Sequence, residues 1–310
     1  MTAIIVIVML IELTILKGAE YFMIYDIPHD NKTQDLIFKT VGGCSLELTF
    51  LPPLLEIYEA APIYFIITGG GWFEESRAAM LGFSADSVQE LRNKGFAVVS
   101  PDYRTYAQAG VKMEDIISDC FDAVRYISHF SDVLKVDPKK FFVSGHSAGG
   151  HLALMLAYAP GEMFRNDSTL SDDYKVIAAA PISAPTLLYS NTKMPRTLNF
   201  DVMNEKVCFG TEDIRKKNSP YTYVSSHCPP TILFAGTSDN LVYYDSSVLL
   251  YNKLLDGNVR CELVLSEGGG HCFEPIDNAV PSVTFEDVQK KIVQFCVDIL
   301  SDKQESDQSF

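Results

Sequence analysis

The chain has 310 residues, 47% apolar and 21% charged, with 19 glycines and 15 prolines, a balance that excludes disordered and collagen-like proteins. At about 150 residues per domain, the length allows one large α/β domain or two smaller ones. Forty Asp and Glu against 25 Lys and Arg leave a net charge of −15, a field that repels phosphate backbones and anionic lipid, so nucleic acid is not expected as a partner.

Taken in chain order, the first feature is an apolar run over residues 3–11 that stops at Glu12. It is too short to span a bilayer, which takes about 20 residues. Its length suits a signal-peptide core, but no Lys or Arg precedes it and no small-x-small site follows Lys17. Residues 1–35 are therefore read as an N-terminal segment containing a buried strand or packing helix, with a cytoplasmic location expected and secretion the alternative.

From residue 36, strand-length apolar runs alternate with helical periods, the pattern of a mainly parallel sheet covered by helices on both faces. The spacing predicts an antiparallel hairpin from 36–41 and 46–50 joined through Gly42 and Gly43, because Leu46, Leu48 and Phe50 alternate with Glu47 and Thr49. Runs at 63–67, 97–100, 141–144, 176–180, 231–235 and 262–265 read as strands buried on both faces. Helices are expected over 84–94, ending at Gly95, over 113–129, over 150–158 and near the C-terminus, where Val288, Ile292, Phe295, Cys296 and Ile299 form a stripe. Residues 184–218 are rich in Asn, Lys, Thr and Pro, lack a strong period, and read as a lid-like insertion in a domain spanning 36–300. The polar tail 301–310 is expected to fray.

Seven cysteines are scattered without a C-x-x-C pair, and six histidines without an H-x-x-x-H pair, so reduced, buried thiols are expected and neither a metal nor another cofactor. What does stand out is Gly145-His146-Ser147-Ala148-Gly149, which fits G-x-S-x-G between a strand ending in Val143 and a helix starting near Gly150. In that setting the small residues allow a sharp strand-to-helix turn that exposes the serine hydroxyl.

A serine hydroxyl is a weak nucleophile, so a base must take its proton and an acid must orient the base. The strand at 231–235 runs into Asp239 and the strand at 262–265 into His271, both at the C-terminal edge of the sheet. The order Ser147, Asp239, His271 is that of an α/β-hydrolase triad. His146 and His151 flank the serine but should point away from it, and Glu267 and Asp245 are weaker candidates for the acid. Donors for a tetrahedral oxyanion are expected from the amides of Gly70, Gly71 and Ala148, since Thr68-Gly69-Gly70-Gly71-Trp72 follows a strand directly. Trp72, Phe73, Tyr106, Leu187, Tyr189 and Phe273 are the candidate walls of a small substrate pocket.

These motifs resemble those of the α/β-hydrolase fold esterases of the hormone-sensitive-lipase and arylformamidase-like (acetyl-xylan-esterase-like) type, over roughly residues 36–300. The resemblance rests on Gly-Gly-Gly-Trp at 69–72, Asp102-Tyr103-Arg104, Gly-His-Ser-Ala-Gly-Gly-His-Leu at 145–152, Ser219-Pro220, Asp239 with Val242, and Gly270-His271. It implies a serine hydrolase without cofactor, acting on small-molecule, small-acyl esters. An arylformamidase or small-amide hydrolase is one alternative, and a catalytically silent ligand-binding protein of the same fold is the other. One departure is Thr68, where the family's oxyanion motif usually begins with a histidine that braces the glycine loop.

Overall fold

The computed structural model describes residues 33–165, 169–189, 196–199 and 209–307. Within them, one eight-stranded sheet has the order β1-β2-β4-β3-β5-β6-β7-β8. Its strands are β1 (Gln34–Val41), β2 (Cys44–Leu51), β3 (Ala61–Ile67), β4 (Ala97–Pro101), β5 (Val136–His146), β6 (Val176–Ile182), β7 (Thr231–Gly236) and β8 (Cys261–Ser266). β1 and β2 make the expected antiparallel hairpin, β2 meets β4 antiparallel, and all later pairings are parallel. Gly42 and Gly43 turn the hairpin with φ of 58° and 79°, the left-handed pair whose twist matches that of the strands it joins. This is the α/β-hydrolase architecture that the resemblance implied.

The helices are α1 (Arg77–Phe83), α2 (Ala85–Asn93), α3 (Met113–His129), α4 (Ser131–Leu134), α5 (Ala148–Tyr158), α6 (Glu212–Lys217), α7 (Asp245–Asp256) and α8 (Phe285–Asp307). Two apolar layers sandwich the sheet. Strand alternation sends Ile63, Phe65 and Ile67 into one layer with α3, α5 and α7, and Tyr64 and Ile66 into the other with α1, α2 and α8. A run of buried charge fastens the edge hairpin to α3. Lys39 Nζ donates to Asp119 at 2.7 Å and to Asp122 at 2.6 Å, while Arg104 Nε donates to Asp119 at 2.7 Å. Buried carboxylates held this way are satisfied only as a set, so the network fixes register more than it adds stability.

Several expectations are corrected. The helix expected at 84–94 is α2, but a further helix, α1, precedes it across Ser84 where none was expected. Strand β8 is not buried on both faces; as the last strand of the sheet it is half-exposed. The C-terminal helix continues through the expected tail to Asp307. Helix α7 follows β7 where no helix was expected, and Asp245 opens it. Of the described cysteines only Cys120 and Cys296 are buried; all six are free thiols, and Cys44 is exposed. The N-terminal apolar run and Cys208 lie outside the described residues. No described helix is long and apolar enough to cross a membrane.

Candidate active site

Parallel pairing brings four loops to one edge. Ile67 pairs with Gly145, Gly145 with Pro181, and Gly236 with Ser266, so the chain leaves β3, β5, β7 and β8 at the same level. Those exits carry residues 68–72, Ser147, Asp239 and His271. This is the crevice at the C-terminal ends of the strands where open α/β sheets bind ligands.

Ser147 sits between β5 and α5 with φ 55° and ψ −121°, a conformation that costs a non-glycine residue of order 1–3 kcal/mol. Its own main chain supplies the restraint. Ser147 N–H donates to the Ile182 carbonyl at 2.8 Å, and the Ser147 carbonyl accepts from His151 N–H at 3.1 Å. The turn also needs Gly149, where a Cβ would overlap the carbonyl oxygens of Ile67 and Thr68.

Asp239 follows β7 and is buried. One carboxylate oxygen, Oδ1, accepts from Leu241 N–H at 2.9 Å and Val242 N–H at 3.0 Å, a local turn that orients the group. The other oxygen lies 2.6 Å from His271 Nδ1. The acid and the imidazole expected from sequence are thus paired, whereas Glu267 is exposed and Asp245 opens a helix.

The main chain of His271 is clamped to the elbow. Its carbonyl accepts from His146 Nε2–H at 3.0 Å and from Ser183 Oγ–H at 2.8 Å, and the rings of His146 and His271 lie 4.7 Å apart. His146 immediately precedes Ser147, so this clamp fixes the distance between the elbow and the histidine loop. Burial, and then the nearby His271, push the His146 imidazole down to about 3, so at neutral pH it is an uncharged donor. Ser183 was missed by sequence reasoning, and the only signal for it is its place just after a central strand.

The glycine loop runs along the other side of the elbow. Gly70, Gly71 and Trp72 have φ of 106°, 60° and 60°, three left-handed residues in succession. Tyr103 Oη–H, from the loop after β4, lies 2.9 Å from the Thr68 carbonyl and 3.0 Å from that of Gly69. This phenol holds the first two carbonyls of the loop, and Thr68 itself is buried.

The expected pocket residues divide in two. Trp72, Leu187 and Phe273 are at most 3% exposed, as buried as Ser147 itself. Trp72 and Phe273 even belong to opposite apolar layers. Phe73, Tyr106 and Tyr189 are half-buried, and Lys216 lies over the Tyr189 ring at 5.6 Å. The described parts of the insertion pack inward through Ala184, Leu188, Leu198 and Phe209.

Beyond Trp72 the loop enters a charged pocket. Glu75, Asp102, Arg77, Asp35 and Thr49 line a cavity of about 370 Å³. Arg77 pairs with Asp102, and with Glu47 at 2.7 Å. Burial, then the charge of Asp102 and a hydrogen bond with it, raise the Glu75 carboxyl from 4.5 to about 8. The folded protein therefore keeps a proton on Glu75 that the unfolded chain releases, and this part of the stability falls as pH rises from 4.5 towards 8. Glu75→Gln is expected to remove that slope and to raise the melting temperature at pH 8 by about 2–4 °C, read from thermal melts at pH 5 and 8. A variant that keeps the wild-type pH dependence of melting would contradict the assignment.

The sheet, the elbow and the Asp239–His271 pair define an α/β-hydrolase of the esterase type. A BD-FAE family profile matches residues 52–254, and the chain belongs to the BD-FAE family. It is similar to the isoprenylcysteine alpha-carbonyl methylesterase of Arabidopsis thaliana, 25% identical over 68% of this chain and 50% of that protein. It is likewise similar to the probable carboxylic ester hydrolase LipM of Mycobacterium tuberculosis, 25% identical over 70% of this chain and 49% of that one. The chain spans about half the length of these curated relatives. Among solved structures, esterase 2 of Thermogutta terrifontis phosphonylated by sarin superposes with a TM-score of 0.73 and 26% identity, covering 88% of this chain and 96% of that one. The same esterase with propionate bound gives a TM-score of 0.71 at 26% identity, covering 88% and 96%.

Proposed function

We propose that the chain is a serine hydrolase of small-acyl carboxylic esters, acetyl esters foremost, working through an acyl-enzyme. The observation that carries this reading is the 2.6 Å Asp239–His271 pair, anchored through the His271 carbonyl to the residue preceding a left-handed Ser147. In the reaction, Ser147 Oγ attacks the ester carbonyl carbon as its proton passes to His271 Nε2. Asp239 accepts from Nδ1–H and so fixes the tautomer and stabilises the imidazolium. The carbonyl oxygen becomes an oxyanion facing the amides of Gly70, Gly71 and Ala148, with the N-terminus of α5 adding a favourable dipole. Collapse expels the alcohol, which takes the proton from Nε2. Water then attacks the acyl-serine, giving its proton to the same nitrogen, and the acid leaves as Ser147 regains its hydrogen.

Support for short acyl groups comes from a solved relative: the Thermogutta esterase holds propionate. The test is labelling with a fluorophosphonate, read by peptide mass, together with rates on p-nitrophenyl acetate, butyrate and octanoate and on N-formylkynurenine. A single adduct on Ser147 and a kcat/KM that falls with acyl length are expected. An unlabelled serine would overturn the reading; faster turnover of the formamide than of any ester would move it to the amide side.

A further inference from the structure

His151 is one helical turn past Ser147, and its two ends face different parts of the site. Its main-chain N–H donates to the Ser147 carbonyl at 3.1 Å, so its Cα is fixed to the elbow. Its ring is fully buried and spans two partners. The Trp72 indole N–H donates to His151 Nδ1 at 3.1 Å, and His151 Nε2–H donates to the Asn218 carbonyl at 2.7 Å. An indole nitrogen can only donate, so the tautomer is determined by its partner: Nδ1 carries the lone pair and Nε2 the proton. Burial pushes this imidazole down to about 4, which keeps Nδ1 free to accept at neutral pH.

Trp72 is the residue that most needs such a tie. Its φ of 60° is costly for a bulky side chain, and it closes the succession of left-handed residues that turns the amides of Gly70 and Gly71. Its carbonyl accepts from Tyr106 N–H at 2.9 Å, and its ring stands edge-on to His151 at 5.1 Å and to Phe209 at 5.6 Å. Once the indole is pinned, the peptide planes before it have little freedom left.

We propose that His151 is a positioning residue for the oxyanion loop: by holding the Trp72 indole from a backbone position shared with the elbow, it sets the Gly70 and Gly71 amides relative to Ser147. The proposal rests on the serine-esterase reading and deepens it. It also explains how the loop keeps its shape with Thr68 at its head: Tyr103 holds the first two carbonyls, and the indole–imidazole–carbonyl relay holds the far end. Because Asn218 caps α6 at the end of the 184–218 insertion, the relay ties that insertion to the same loop.

The test compares His151→Leu, His151→Asn and Trp72→Phe with wild type on p-nitrophenyl acetate, alongside binding of a trifluoromethyl ketone and of the matching secondary alcohol. The ketone forms the tetrahedral oxyanion and the alcohol does not. Losing one oxyanion donor outright costs about 100–1,000-fold in kcat, so misplacing donors should cost about 10–100-fold. His151→Leu is expected to lose that much in kcat with KM within about threefold, and to weaken the ketone in proportion while leaving the alcohol unchanged. His151→Asn puts an amide oxygen near the Nδ1 position and should recover most of the loss. Trp72→Phe keeps an aromatic side chain and removes the N–H together with the five-membered ring that carries it; it gives the second reading should His151→Leu fail to fold, and the two substitutions together should cost little more than either. Wild-type kcat in a folded His151→Leu or in Trp72→Phe, or equal weakening of ketone and alcohol, would overturn the proposal. Ester turnover by wild type and its loss in Ser147→Ala score the esterase reading separately.

Discussion

Replacing Ser147 by alanine is expected to lower kcat for ester hydrolysis by about a million-fold, leaving only what the oxyanion donors and substrate binding provide over water. The effect is so large because no other oxygen can take over. The neighbours of Ser147 on the elbow are His146, whose ring is committed to the His271 carbonyl, and Ala148, whose side chain has no oxygen. Alanine tolerates φ 55° about as well as serine does, and the bonds of residue 147 that hold the turn are main-chain ones, so folding should survive. Steady-state rates, thermal melting and fluorophosphonate labelling on one preparation check this. A folded Ser147→Ala protein that still turns over the ester would end the nucleophile assignment.

Asp239→Asn is expected to cost about ten-thousand-fold in kcat, with KM little changed, and the geometry says why. Oδ1 is held by the N–H groups of Leu241 and Val242, which only an oxygen can accept, so an asparagine keeps its oxygen there. Its NH₂ then occupies the Oδ2 position, 2.6 Å from His271 Nδ1. Two donors cannot face each other, so the imidazole carries its proton on Nε2 and points a hydrogen at Ser147 instead of a lone pair. The tautomer can be read from the ¹⁵N chemical shifts of His271, and the rate from the same ester assay. Wild-type kcat in Asp239→Asn would show that orientation of the base comes from elsewhere.

Much of this was legible in the sequence because period-2 and period-3.6 patterns report burial directly. The strands, α3 and the strand–elbow–helix around Ser147 follow from apolar spacing and the glycines at 145, 149 and 150. Asp239 and His271 were readable from their place just after strands, since parallel connectivity sends every such exit to one edge. The sequence was silent where a residue's task is set by a distant partner. His146 and His151 looked like failed candidates for the base, and their work as a clamp and a tie depends on the His271 carbonyl, on Trp72 and on Asn218, far away along the chain. Nearness in sequence to a catalytic turn does not say which way a ring points, and Trp72 and Phe273, read alike from the sequence, lie in opposite apolar layers. Helix α1 was missed because Arg77–Phe83 is short and contains Gly82, leaving too few turns for a period to register.

The double grip on the His271 carbonyl separates where the histidine loop sits from what the loop carries. His146 and Ser183 hold the backbone at that point, so the address is independent of the side chain, and the Asp239 contact acts on the ring. A loop anchored in this manner can let its imidazole rock about the Cα–Cβ bond, first towards the serine oxygen and then towards the departing alkoxide, without the chain beneath it shifting. Proton shuttling thus becomes a rotation of a few atoms on a fixed pivot, and the solvent-exposed residues that follow, such as Val280, stay free to vary without disturbing it.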